Sequence, residues 1–168
     1  MAWSMVYRGL LVCSIFLSCI SCAPVISSEV RALIDPRLSY DQIAIHPELY
    51  VGKSVLLAGT IIEAKNLKQG TRLEILQYPA TRRGYPRIDK PAGGRFLVLA
   101  PVYLETEIYR SGRAITVAGD ISGVQTLPLG EAVYRYPTLI SRELHLWDLR
   151  GRFPQLHFEF GVGFSKSF

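Results

Sequence analysis

Ten residues recur sixty positions apart, and this repeat constrains the fold more than any other feature of the chain. Gly52-Lys53-Ser54-Val55-Leu56-Leu57-Ala58-Gly59-Thr60-Ile61 returns as Gly112-Arg113-Ala114-Ile115-Thr116-Val117-Ala118-Gly119-Asp120-Ile121. Side chains alternate along a strand, so Val55, Leu57 and Ile61 share one face, as do Ile115, Val117 and Ile121. Gly59 and Gly119 occupy the same place on that face. A glycine there marks a bend or bulge that lets a sheet curl. Two copies are too few for a solenoid. They fit two equivalent, strongly coiled strands of a small barrel.

Further strands are expected around these two. Thr71–Tyr78 sets Leu73 and Ile75 against Arg72 and Glu74, and Arg95–Ala100 is nearly all apolar. Asn66–Gly70 has the length of a hairpin loop. Tyr134–Trp147 places Leu144 and Leu146 on one face and His145 and Trp147 on the other. About five strands with a long excursion after the second predict a mainly β, OB-like barrel, closed or partly closed. A two-sheet sandwich is the alternative. Ahead of the strands, Ser39-Tyr40-Asp41-Gln42 fits a capping box. The short N-terminal helix it starts should end before Pro47, because the residue preceding a proline resists helical geometry.

The N-terminus carries a different signal. Arg8 precedes an apolar run of 11 residues, Leu10 to Ile20, that ends in Ser21-Cys22-Ala23-Pro24. That is too short to span a bilayer, which needs about 20 residues, but it has the length of a secretory apolar region. It resembles a bacterial lipoprotein signal, in which the cysteine becomes the lipidated first residue. Cys19 competes with Cys22; Ser21 before Cys22 and the polar, irregular stretch after it favour Cys22. An uncleaved helix, or a cleaved signal with an incidental cysteine, is the alternative, and Met5 is a second candidate start. Cys13 and Cys19 would leave with the signal, so neither a disulfide framework nor a Cys-based metal site is expected, and stability must come from a hydrophobic core.

The resulting division is residues 1–21 as signal peptide, 22–38 as lipidated N-terminus and tether, 39–150 as the barrel-like domain, and 151–168 as an aromatic, glycine-containing tail. The tether reading rests on the mixed polarity and the prolines of residues 23–38. Removing residues 1–21 leaves 147, enough for one domain. At 49% apolar and 20% charged residues the composition is globular rather than disordered. The formal charge of +5 falls to +4 without Arg8. So modest a balance fits a plain soluble surface, and no nucleic-acid partner is expected outside the cytoplasm.

Candidate chemistry is sparse. His46, His145 and His157 form no ligand pair, so no metal or other cofactor is expected. No G-x-S-x-G elbow occurs. Glu105 and Glu107 share a face without the layout of a glycosidase pair, and phosphate-loop and dinucleotide patterns are absent. The chain is therefore expected not to be an enzyme. Pro79–Arg95 is the stronger candidate, with Arg82, Arg83, Arg87, Lys90 and Arg95 against Asp89, together with Tyr85. Long irregular connections are functional or mobile. One reading is an anion-binding loop that meets phosphate or acidic sugar at a membrane; the other is a solvated loop whose charge prevents association. In the tail, the even positions Leu156, Phe158, Phe160, Val162, Phe164, Lys166 and Phe168 give a one-sided, mostly apolar alternation, similar to the closing strand of an outer-membrane barrel. One strand cannot cross a bilayer alone. It would add to this sheet, pair with a partner's edge or lie at the interface.

His46-Pro47-Glu48-Leu49-Tyr50-Val51-Gly52-Lys53, followed by Ala58-Gly59-Thr60-Ile61, resembles the Slp (starvation-inducible) outer-membrane lipoprotein family. So does Glu143-Leu144-His145-Leu146-Trp147-Asp148-Leu149. The resemblance runs from about Ser39 to Leu149 and includes the lipidated cysteine. It implies a mostly β domain, lipid-anchored on the periplasmic side of the outer membrane, and brings no catalytic residues. Ala23 rather than Asp after the cysteine resembles the outer-membrane sorting pattern. The function so implied is envelope maintenance or stress adaptation. The alternatives are a binding module for acidic glycan or lipid headgroups, and an envelope assembly partner docking a protein through the tail.

Overall fold

The two copies of the repeat lie side by side. Strand β1 (Ser54–Leu67) runs antiparallel to β4 (Ala114–Leu129), with Ser54 opposite Asp120 through to Thr60 opposite Ala114. Leu57 and Val117, equivalent in the repeat, face each other directly. A local two-fold axis therefore passes between them. The flanking hydrogen bonds obey it: Gly52 N–H donates to Ile121 O and Gly112 N–H to Ile61 O, both at 2.8 Å. Ile121 N–H to Lys53 O and Ile61 N–H to Arg113 O both measure 2.9 Å. The turn glycines match too, with φ of 82° at Gly52 and 83° at Gly112, a conformation costly for residues with a Cβ.

The computed structural model describes residues 25–148; the signal segment, Cys22 and the aromatic tail lie outside the described residues. Strands β2 (Gly70–Tyr78), β3 (Gly94–Ala100) and β5 (Ala132–Leu146) complete the sheet. The order β1-β2-β3-β5-β4 returns to β1 and closes a barrel, which excludes the open sandwich. All neighbours are antiparallel except β3 and β5.

Closure depends on strands that serve two neighbours at once. Gly59 lies opposite Gln77 of β2 and Ile115 of β4, and Gly119 lies opposite Val55 of β1 and Ser141 of β5. Bulges follow Ile61 and its equivalent Ile121, and a further one precedes Gly119. A Cβ at Gly59 would land on the Leu76 carbonyl and the Ile75 side chain; at Gly119 it would come 2.5 Å from Ile140 O. Both glycines permit close backbone approach where the strand bends. The faces read from the repeat are the core: Val55, Leu57, Ile61, Ile115, Val117 and Ile121 are buried with Leu73, Ile75, Phe96, Val98 and Leu139.

Helix α1 (Ser28–Leu33) and α2 (Tyr40–Ile45) precede the barrel. The capping box forms as expected: Gln42 N–H donates to Ser39 Oγ, and Ser39 N–H to Gln42 Oε1. Helix α2 ends at His46, and a 3-10 turn, Pro47–Tyr50, leads into β1. Tyr40 and Ile43 enter the core. The Tyr40 hydroxyl donates to Arg95 O at 2.9 Å and its ring lies 6.1 Å from Phe96. Burial, then Tyr134, raises the Tyr40 phenol far above its ordinary pKa.

Two expectations are corrected. Residues 25–38 are not a loose tether: Ile26 is fully buried, and Ser27, the N-cap of α1, donates from its amide and hydroxyl to the Glu143 carboxylate. Ile34 forms a parallel bridge to Ser54. Strand β4 also runs on past the repeat, from Ile121 to Leu129, as an arm paired with β5, which starts at Ala132, two residues before the expected Tyr134. Pro128 argues against an interior strand, but the arm accommodates it opposite Val133.

Gly59→Val and Gly119→Val should each destabilise the domain by about 1–3 kcal/mol, the range of overpacking costs, as read by urea or thermal unfolding. An unchanged melting curve for both would show that the bends tolerate a side chain. Because every strand of the ring ends before residue 147, a chain ending after residue 150 should still unfold cooperatively. Loss of that transition would make the tail part of the core.

Candidate functional site

Residues 79–93 connect β2 to β3, and their backbone is ordered by its own hydrogen bonds. Thr81 N–H donates to Tyr85 O and Gly84 N–H to Thr81 O, both at 2.8 Å. Tyr85 N–H reaches Thr81 Oγ1, Arg87 N–H reaches Pro79 O, and Ala80 bridges Pro86. Gly84 supplies the positive φ of 91° that the turn requires.

The loop folds back onto the outer wall of the barrel. Thr116, which points away from the core in the second copy of the repeat, is fully buried beneath it. Its hydroxyl donates to Gly84 O at 2.7 Å and accepts from Trp147 Nε1 at 2.9 Å. Trp147 meets Tyr85 edge-on at 5.0 Å and His145 edge-on at 4.7 Å. The two faces expected of the last strand are both present, with Leu144 and Leu146 against the core and His145 and Trp147 forming the bed of the loop. Val25 completes the bed: a Cβ on Gly84 would sit 3.3 Å from Val25 and 3.2 Å from Thr116. The start of the described chain therefore touches the turn that carries Arg82 and Arg83.

Of the expected anion-binding set, Arg82, Arg83, Arg87 and Lys90 are exposed on this loop. Arg87 lies 3.7 Å from Asp89. Arg95 does not join them. It stands on β3, 2.7 Å from Glu74, whose carboxylate also accepts from Tyr136. Its hydrogen bond to Glu74 raises the guanidinium pKa further. Register explains the difference, since Arg95 lies opposite Leu76, diagonal to Glu74 on the same face.

The other candidates are dispersed. His46 caps α2, exposed and 3.8 Å from Glu48. Glu105 and Glu107 lie exposed after β3, and His157 is outside the described residues. Among the described residues no three His, Cys, Asp or Glu side chains gather as a metal site. A second concavity, a groove of about 440 Å³, lies beyond the β1–β2 hairpin between Leu67, Gly70, Leu99, Gln125 and Ile140. Sequence reasoning missed it because every strand contributes to it. It has no local signal.

The described domain is a small closed β barrel with a docked N-terminal segment and a cationic loop beside it. The chain belongs to the outer membrane lipoprotein Slp family, whose profile matches residues 18–159. It is 27% identical over 145 residues to the outer membrane protein Slp of Escherichia coli, covering 85% of this chain and 76% of that one. It is 30% identical over 98 residues to an uncharacterized protein of Haemophilus influenzae, covering 58% and 53% respectively. Among solved structures, the mitochondrial single-stranded DNA-binding protein Rim1 of S. cerevisiae aligns with a TM-score of 0.36 at 16% identity, over 56% of this chain and 94% of that one. A small single-stranded DNA-binding protein of Streptomyces coelicolor aligns at 0.37 and 14% identity, over 60% and 98%. Likeness at this level says nothing of a ligand.

Thr116→Val removes the hydroxyl that joins Gly84 to Trp147. It should cost about 1–3 kcal/mol, the penalty of leaving buried polar groups unsatisfied. Trypsin should then cut at Arg82 and Arg83 faster than in the parent. Unchanged cleavage would mean that this contact does not hold the loop.

Proposed function

We propose that this protein is a non-enzymatic lipoprotein held in the outer membrane by acyl chains on Cys22. Its barrel, which we assign to the OB class on strand order, stands on the periplasmic side and serves envelope maintenance or stress adaptation. The observation that carries this reading is the family match, which begins at residue 18 and so takes in Cys22 together with the whole barrel. Residues 1–21 are then the signal peptide and residues 151–168 a separate tail. The non-enzymatic reading is supported by how the domain uses its carboxylates. Glu74 holds Arg95, Glu143 holds Ser27, and Asp120 accepts from Ser54 at 2.6 Å and from Arg142 at 2.8 Å. The Arg142 hydrogen bond leads in keeping the Asp120 carboxyl below its ordinary pKa.

Each buried methylene of an acyl chain contributes about 0.8 kcal/mol, so several chains anchor a protein almost permanently. Cys22→Ala should therefore leave the membrane fraction or accumulate as the unprocessed form. A variant that is processed and still enters detergent with the parent would overturn the assignment.

A further inference from the structure

We infer that the end of the barrel beside α2 holds a binding site for a neutral acetamido sugar, with the side-chain amide of Gln77 as its recognition group. Side chains alternate along β2, so Gln77 points the same way as Leu73 and Ile75, toward the barrel interior. It is only 8% exposed. Its carbonyl accepts from Gly93 N–H at 3.1 Å, but its side-chain amide makes no hydrogen bond among the described residues. Buried polar groups are almost always partnered, and leaving one without a partner is costly. The two inward residues before it are aliphatic, so core packing alone does not call for an amide at this position.

Gln77 borders a cavity of about 430 Å³ that Tyr40, Asp41, Pro79, Pro91 and Gly93 also line. That volume lies within the range of small-ligand sites. Gly93 has no positive φ, so its backbone conformation does not demand glycine. A Cβ there would strike Gln77 Oε1 and come 2.9 Å from Tyr40 Cδ1, so the missing side chain leaves the amide its place. The Tyr40 hydroxyl is turned to Arg95 O. The free polar groups of the cavity are therefore the Gln77 amide and the exposed Asp41 carboxylate, which has no hydrogen bond or ion pair among the described residues. An amide carries a donor and an acceptor side by side, and the N–H and C=O of an acetamido group meet both. The carboxylate accepts from ring hydroxyls through charge-assisted bonds and repels acidic sugars. The saturated rings of Pro79 and Pro91 offer apolar surface to the C–H face of a pyranose.

The test titrates the full-length protein, held in phosphocholine micelles, with N-acetylglucosamine while its amide NMR signals are followed. The Gln77 side-chain NH₂ pair should shift, together with the backbone signals of Ala92 and Gly93. Gln77→Met keeps the length of the side chain and removes its polar atoms. It should lower affinity about tenfold without lowering the melting temperature, because the amide gains nothing from the fold. Glucosamine, which has an amine in place of the acetamido group, should bind about tenfold more weakly than N-acetylglucosamine. So should a blocked alanine dipeptide, which offers amides without a sugar ring. The inference is overturned if N-acetylglucosamine leaves the Gln77 side-chain signals unmoved, or if Gln77→Met binds it as the parent does. Glucosamine or the dipeptide binding as tightly as N-acetylglucosamine overturns it as well. The shift is read on the parent protein, so it decides the matter even where Gln77→Met fails to fold.

Discussion

The ladder between residues 54–60 and 114–120 is the constraint on which the rest of the domain depends. It buries Leu57 against Val117 at its centre and delivers each strand to a second neighbour at Gly59 or Gly119. Without that sharing the ring would stay an open sheet, with exposed edges that invite foreign strands. Hydrophobic burial drives collapse, but the two glycines decide that collapse ends in a closed barrel. A side chain at either would meet the backbone of the strand next to it.

Much of this was legible because the signals are local. Alternation gave the inward residues of β1 and β4, Ser39 and Gln42 gave the helix start, and Leu144 with His145 gave the two faces of β5. What escaped depends on partners far along the chain. Ile26 and Ser27 read as tether because Glu143, which receives the Ser27 amide and hydroxyl, is 116 residues away. Arg95 read as a loop cation because nothing in its neighbourhood reveals the register that sets it beside Glu74. The β4–β5 arm escaped because the repeat stops at Ile121, and the pairing of residues 123–129 with 132–138 depends on a partner strand rather than on a local pattern.

The loop from residue 79 to 93 illustrates how a repeat can diverge on its outer face while its inner face is kept. Thr116 corresponds to Leu56 in the first copy. Leu56 remains half-buried, whereas Thr116 supplies a hydroxyl that ties Gly84 to Trp147. The inward positions of both copies remain aliphatic. Of the outward differences between the copies, Thr116 in place of Leu56 thus marks which side of the barrel carries the docked loop, and Val25 lies against the same side.

A ladder built from two versions of one strand has partners that are nearly interchangeable. The axis that sets Leu57 opposite Val117 would, between two molecules, set Leu57 opposite Leu57. Until residues 114–120 are in place beside it, β1 presents an edge that another copy of itself can complement, a route to strand exchange between chains. The two copies differ where this matters. Ser54 meets Asp120 in the native ladder and donates to its carboxylate, which Arg142 also grips. In a β1–β1 pairing Ser54 would instead face Thr60, with no carboxylate and no arginine. The acid in the second copy is therefore a mark of identity, favouring the strand's own sibling over its twin in the next molecule.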